Sequence, residues 1–248
     1  KADKDPTATA FINDLRQQVV GRDELINTPF GTKPLLYCDH TASGRSLHSI
    51  EQLITREVLP HYANTHSEAS HTGRHTGRLR EWARQSIKEV INAGPEDALI
   101  FCGHGATGAV NTLVHLLNFN AAPQPDKASD TNEPEKPLVL IGPYEHHSNE
   151  LPWREAQADV IRVPLDEDGN INQRDLIRAL EENATRPLIV GSFSAASNVT
   201  GIKADVPGIT QILKRHGAIA VWDYAAGAPY LPIDMNRPGA AIDAVFFS

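Results

Sequence analysis

"AIAVWDYAAG", residues 218–227, is a short apolar run that closes on a carboxylate and then breaks into small residues. Its length suits a strand buried on both faces. Asp223, at the end of such a strand, must be paired, hydrogen-bonded or neutralised. It could hold a metal, orient a histidine, pair with a protonated ring nitrogen or cap the chain.

The pattern repeats outward from this stretch. Upstream, "LVLIG" (138–142) precedes a helix near 149–157 and "DVIRV" (159–163) a helix at 173–183. "PLIVGSF" (187–193) precedes a helix at 205–216, and "AVFF" (244–247) ends the series. "ALIFC" (98–102) leads through glycines into a helix at 106–118. Apolar strands alternating with helices predict an α/β fold with a mostly parallel sheet flanked by helices.

The first third is less regular. Phe11, Ile12, Leu15 and Val19 share one face of a helix over 7–20, stopped at Gly21. "LLYCD" (35–39) reads as a strand. Residues 46–60 form an amphipathic stripe with a Ser46 cap, and 79–94 another helix, while the glycines of "SHTGRHTGR" argue against helix before it. These features divide the chain into an N-terminal arm, 1–34, and a large domain, 35–248. Residues 120–137, rich in Pro, Asp, Glu and Lys, read as a mobile surface insertion.

Of 248 residues, 40% are apolar and 22% charged, and the formal net charge is -8. Such a chain suits a soluble globular domain and repels phosphate backbones, which argues against nucleic acid. The basic run Arg74 to Arg84 reads as a solvated helix face or a small-anion site rather than a DNA-binding stripe. No apolar stretch approaches the ~20 residues a bilayer span needs, and no signal peptide is visible, so a cytoplasmic location is expected. Cys38 and Cys102 each fall in an apolar run and read as buried, reduced thiols.

In open α/β sheets, ligands bind beyond the carboxyl ends of the strands. The residues there are Asp39-His40, "GHGATG" (103–108), "YEHHSN" (144–149), "SAASNVTG" (194–201), "DYAAG" (223–227) and Ser248. The glycines and Thr107 would sit at a helix N-terminus, which attracts phosphate or carboxylate. His66, His71 and His75 raise a rival reading as a metal-dependent hydrolase, although no HExxH pattern is present; nor is there a GxSxG elbow.

Taken in order, these loops resemble the class V, fold-type I pyridoxal-phosphate enzymes, especially the cysteine desulfurase and selenocysteine lyase branch. "YCDHTASG", "GHGATGAVN", "EHHSNELPW", "SNVTG", "VWDYAAGAPYLPIDM" and "DAVFFS" each resemble a motif of that family, over residues 35–248. The resemblance implies a three-layer large domain that binds pyridoxal 5′-phosphate. His146 would lie on the pyridine ring and move protons at the reacting carbon. Asp223 would pair with the ring nitrogen, and Asn198 would sit near the phenolic oxygen. Ala106, Thr107 and Ser248 would hold the phosphate, and His147 would be structural. The enzyme would take an amino acid as an external aldimine, remove a proton, then eliminate or transfer a group. A homodimer is expected.

Two departures bear on this. Ala226 and Tyr224 stand where the family usually has Gln and a small residue. The family's Schiff-base lysine would fall at the third position past Ser248, and its C-terminal small domain, with a substrate-binding arginine and nucleophilic cysteine, would lie beyond as well. The chain is therefore expected to be inactive by itself. Aminotransferase or epimerase chemistry, or a non-enzymatic scaffold, are the alternatives.

Overall fold

A computed structural model describes residues 6–119 and 136–248, so most of the expected insertion at 120–137 lies outside the described residues. The chain forms two compact units, residues 1–86 and 87–248. The expected arm of residues 1–34 lies within the first unit, together with 35–86.

In the first unit, α1 spans Pro6–Gln18. Phe11 and Ile12 on it are 62% and 47% exposed, so the stripe read from the sequence is not a buried face. A hairpin follows, β1 (Leu25–Thr28) against β2 (Gly31–Pro34), closed by Thr28 Oγ1 donating to Gly31 O at 2.7 Å. Residues 35–39 are irregular rather than the expected strand. The next helix, α2, is short, His48–Leu53, and runs on through a π turn (Ile54–Val58) and a 3₁₀ turn (Leu59–His61). Its N-cap is Leu47, not Ser46. Helix α3, His71–Val90, begins within the glycine-bearing stretch expected to be non-helical. A Cβ on Gly73 would lie 2.1 Å from Ser67 O, so this glycine permits a close backbone approach that outweighs its low helix propensity.

The second unit carries the sheet. Here α4 (Gly105–Leu116), β3 (Leu138–Ile141), α5 (Leu151–Glu155), β4 (Asp159–Arg162), α6 (Gln173–Glu182), β5 (Ile189–Ser194), α7 (Val206–Arg215), β6 (Ile219–Asp223) and β7 (Ala244–Phe246) succeed one another. The five strands β3–β7 are all parallel, in the order β4-β3-β5-β6-β7. Residues 98–102 do not form the expected strand. Helices α6 and α7 start at side-chain caps: Asn172 Oδ1 accepts from the Arg174 and Asp175 amides, and Asp205 Oδ1 from Gly208 N.

The pleat sorts side chains into two cores. Leu138, Leu140, Phe193, Ala220 and Trp222 pack with Leu176 and Leu180 of α6 and Ile209 and Leu213 of α7. Val139, Ile141, Val190, Val221 and Phe246 pack with Val110 and Val114 of α4 and Trp153 of α5. The sheet is thus the middle of three layers, the α/β architecture expected. Asp243 aligns the last strand: its amide donates to Ala220 O (2.9 Å), and its Oδ2 accepts from Ala220 N (2.7 Å) and Lys214 Nζ (2.8 Å).

Candidate active site

Alternation along the strands selects which side chains reach the ligand edge. Val190, Ser192 and Ser194 of β5 share one face, as do Val221 and Asp223 of β6. That is the face covered by α4 and α5. The polar members cluster where the strands end.

Asp223 is 4% exposed. Its Oδ1 accepts from Ala225 N at 2.8 Å, and Oδ2 makes no hydrogen bond to another described residue. Burial holds its carboxyl above the usual aspartate range, eased by the Ala225 amide and the charge of His146.

Glu145, which sequence reading noticed but gave no role, anchors the loop after β3. Its Oε1 accepts from Ser194 N (2.9 Å) and Gly142 N (3.2 Å). Its Oε2 accepts from Ser194 Oγ (2.6 Å) and Asn149 Nδ2 (2.8 Å). Asn149, fully buried, accepts in turn from Ser192 Oγ (2.7 Å) and Trp153 Nε1 (3.4 Å). The Glu145 residue touches solvent, but its carboxyl end is enclosed. Burial pushes it up to about 7 against the hydrogen bonds of Ser194 and Asn149, with Asp223 adding repulsion.

His146 is exposed and caps the 3₁₀ turn His147–Asn149. Its Nδ1 accepts from Ser148 N at 3.1 Å and lies 2.8 Å from Ser148 Oγ. Because Nδ1 must keep its lone pair for that amide, the neutral ring carries its proton on Nε2. His147 is exposed, its ring 6.1 Å from that of His146.

Ala106 and Thr107 lie in the first turn of α4, which packs against both the 147–149 turn and β7. Ala106 is buried and Thr107 exposed. The first amides of a helix have no intrahelical acceptor and meet the positive end of its dipole. A Cβ on Gly108 would lie 1.9 Å from Gly103 O, so glycine is what lets the preceding loop fold back over this turn. Asn198 and Ser248 are exposed on their strand-end segments and make no hydrogen bond to Asp223, Glu145 or His146.

The rival histidines fall in the first unit. His71 and His75 share a face of α3 with ring centroids 6.3 Å apart, and their neighbour is His61, at 5.5 and 5.0 Å, in place of the expected His66. Among the described residues, no group of three His, Cys, Asp or Glu is arranged to hold a metal ion. The thiols also differ from expectation: Cys38 is exposed, and Cys102 is half-buried, 3.6 Å from Thr112 Oγ1. Among the described residues, no helix is long and apolar enough to cross a membrane.

The donor set suits a planar ligand with a cationic ring nitrogen and an anionic tail: a nearly buried carboxylate with one oxygen unbonded among the described residues, an imidazole in electrostatic reach of it, and a helix N-terminus. Comparison with known proteins points the same way. A family profile described as "Aminotransferase class-V" matches residues 36–248. A probable cysteine desulfurase of Halalkalibacterium halodurans is 30% identical over 83% of this chain and 48% of its own length. One from Staphylococcus epidermidis is 29% identical over 90% of this chain and 50% of its own. The chain thus spans about half the length of the curated relatives it matches. In solved structures, the fold is shared with the apo cysteine desulfurase of Thermococcus onnurineus NA1 (TM-score 0.73, 20% identity, 95% of this chain and 52% of that one). It is also shared with a NifS-like protein from Rickettsia africae (TM-score 0.69, 18% identity, 86% and 54%). The chain belongs to the class-V aminotransferase family.

Proposed function

We propose that this chain forms the cofactor-holding half of a pyridoxal-phosphate-dependent enzyme acting on amino acids, with cysteine desulfurase chemistry as its leading activity. The observation that carries this reading is Asp223, nearly buried at a strand end with one oxygen unbonded among the described residues, within electrostatic reach of His146. When bound, pyridoxal 5′-phosphate supplies an electron sink for a carbanion at the substrate's α-carbon. Asp223 keeps the proton on the ring nitrogen. His146, oriented through Nδ1, presents Nε2 to the ring face and carries protons at the reacting carbon. The first-turn amides at Ala106 and Thr107 hold the phosphate, joined by Ser248, and Asn198 faces the phenolic oxygen. The desulfurase relatives support this assignment; for the whole protein the same reading carries homodimer assembly and a cytoplasmic setting as further proposals.

Ala226 favours a second reading. Its methyl group cannot donate a hydrogen bond toward the cofactor's oxygen, so the ring's electronic tuning would differ from a desulfurase's, which keeps transamination or epimerisation as the second reading.

The test is to load the full-length protein with pyridoxal 5′-phosphate and supply L-cysteine. With an added dithiol to reduce the transferred sulfur, release of sulfide with an equal amount of L-alanine supports the desulfurase reading. A keto acid, or racemised substrate, moves the assignment to the second. Failure to bind the cofactor at all overturns both.

A further inference from the structure

Glu145 is not needed by the chemistry just described, yet it is the most heavily bonded carboxyl in the second unit among the described residues. Four donors reach it from three segments: Gly142 on its own loop, Asn149 on the 3₁₀ turn, and the amide and hydroxyl of Ser194 at the end of β5. Ser194 is the register partner of Asp223. The carboxyl therefore binds one rung beside the residue assigned to the ring nitrogen, while its own backbone leads directly into His146. No basic side chain bonds to it among the described residues. The charged group acting on it is Asp223, and Tyr144 on its own loop feels it in return.

We propose that Glu145 is a positioning residue that sets the gap between His146 and Asp223 by pinning the His146 loop to the end of β5. The role rests on the reading above for its ligand but on local geometry for its mechanism. Ionised, the carboxyl accepts from all four donors; protonated on Oε2, it keeps the two amides and Asn149 Nδ2 and donates to Ser194 Oγ, whose hydroxyl turns to accept. Its proton occupancy then changes how strongly Ser194 and Gly142 are held. Near neutral pH, the bridge tightens as the carboxyl ionises, and a cation beside Asp223 favours that ionised form. Cofactor entry and the clamp on His146 thus reinforce each other. A Gln side chain keeps one acceptor but turns an NH₂ toward either the Ser194 hydroxyl or the Asn149 amide, breaking the set.

Two measurements on the full chain test this. First, the backbone amide resonances of Gly142 and Ser194 are followed from about pH 5 to about pH 9 without cofactor. Both should shift with a midpoint near 7 in the wild type and stay flat in Glu145→Gln. Second, pyridoxal 5′-phosphate is titrated and its induced circular dichroism recorded, a signal that reports how the ring is held. Glu145→Gln should weaken binding about tenfold, abolish the pH dependence of affinity and reduce the induced band. Ser194→Ala, which removes one donor and leaves the carboxyl, should give a smaller loss while retaining the pH dependence. Amides that respond to neither pH nor substitution overturn the proposal, as does a Glu145→Gln protein with wild-type band and pH profile. If the amides behave as expected but the wild type does not bind the cofactor, the clamp stands and the functional reading falls.

Discussion

Ser194 and Asp223 stand opposite each other at the last rung shared by β5 and β6, with their side chains on the same face of the sheet. Since Glu145 is bonded to Ser194 by both amide and hydroxyl, two acidic side chains meet at one buried strand end with no basic side chain bonded to either among the described residues. Such a pair places a cost on stability that varies with pH.

For Glu145 the sign is definite. The folded chain holds this proton up to about 7, whereas the ordinary value is 4.5. Its stabilising contribution is complete below the unfolded value and lost as pH rises through the folded one, a change of about 3 kcal/mol. Urea unfolding of the wild type should therefore show stability falling from about pH 5 to about pH 8. Glu145→Gln should remove most of that slope.

Asp223→Asn separates folding from binding. The amide oxygen still accepts from Ala225 N, and a buried charge is removed. Because burial disfavours the charged carboxylate and raises its folded value, removing the charge should leave the variant at least as stable as the wild type by thermal unfolding. Affinity for pyridoxal 5′-phosphate should nevertheless fall by about tenfold or more, measured by fluorescence quenching.

Gly108→Ala should displace the first turn of α4, since the clash is with the backbone oxygen of Gly103 rather than a flexible side chain. A cost of about 1–3 kcal/mol is expected from such overpacking. Inorganic phosphate should also compete less well with the cofactor in the variant than in the wild type.

Thr210→Val tests the opposite face. Trp222 Nε1 donates to Thr210 Oγ1 at 2.8 Å, and both residues are fully buried. An indole N–H left without a partner there should cost about 1–3 kcal/mol in chemical unfolding. Thr210→Ser should recover most of it.

Much of the second unit was legible because its signals are local. Strands β3 to β6 announce themselves as apolar runs, and Asn172 and Asp205 mark the starts of α6 and α7. Asp223 and His146 could be picked out because each follows such a run. What escaped depends on partners far along the chain. Residues 98–102 and 35–39 have strand composition, but a strand exists only where a neighbouring edge accepts it. The hairpin β1–β2 lacks apolar alternation, and its exposed strands rest on the turn from Thr28 to Gly31. The helix at His71 was masked by glycines whose value lies in what they let approach. Glu145 looked like any loop carboxylate, since the serines and asparagine that give it meaning acquire that role only when β5 is laid beside β3.

Asp243 carries an implication for how this protein can vary. By gripping Ala220 through both its backbone and its carboxylate, it decides which residues of β7 and its end face which core: Phe246 toward α4, Val245 and the following Phe247 toward the other layer. Removing a single residue between Met235 and Asp243 would oppose that grip and, if the strand slipped to follow, turn every β7 side chain to the wrong side. The connection should accept new amino acids at the exposed positions Arg237, Pro238 and Ala241 while refusing a change of length, and a one-residue deletion there should abolish the cooperative thermal transition.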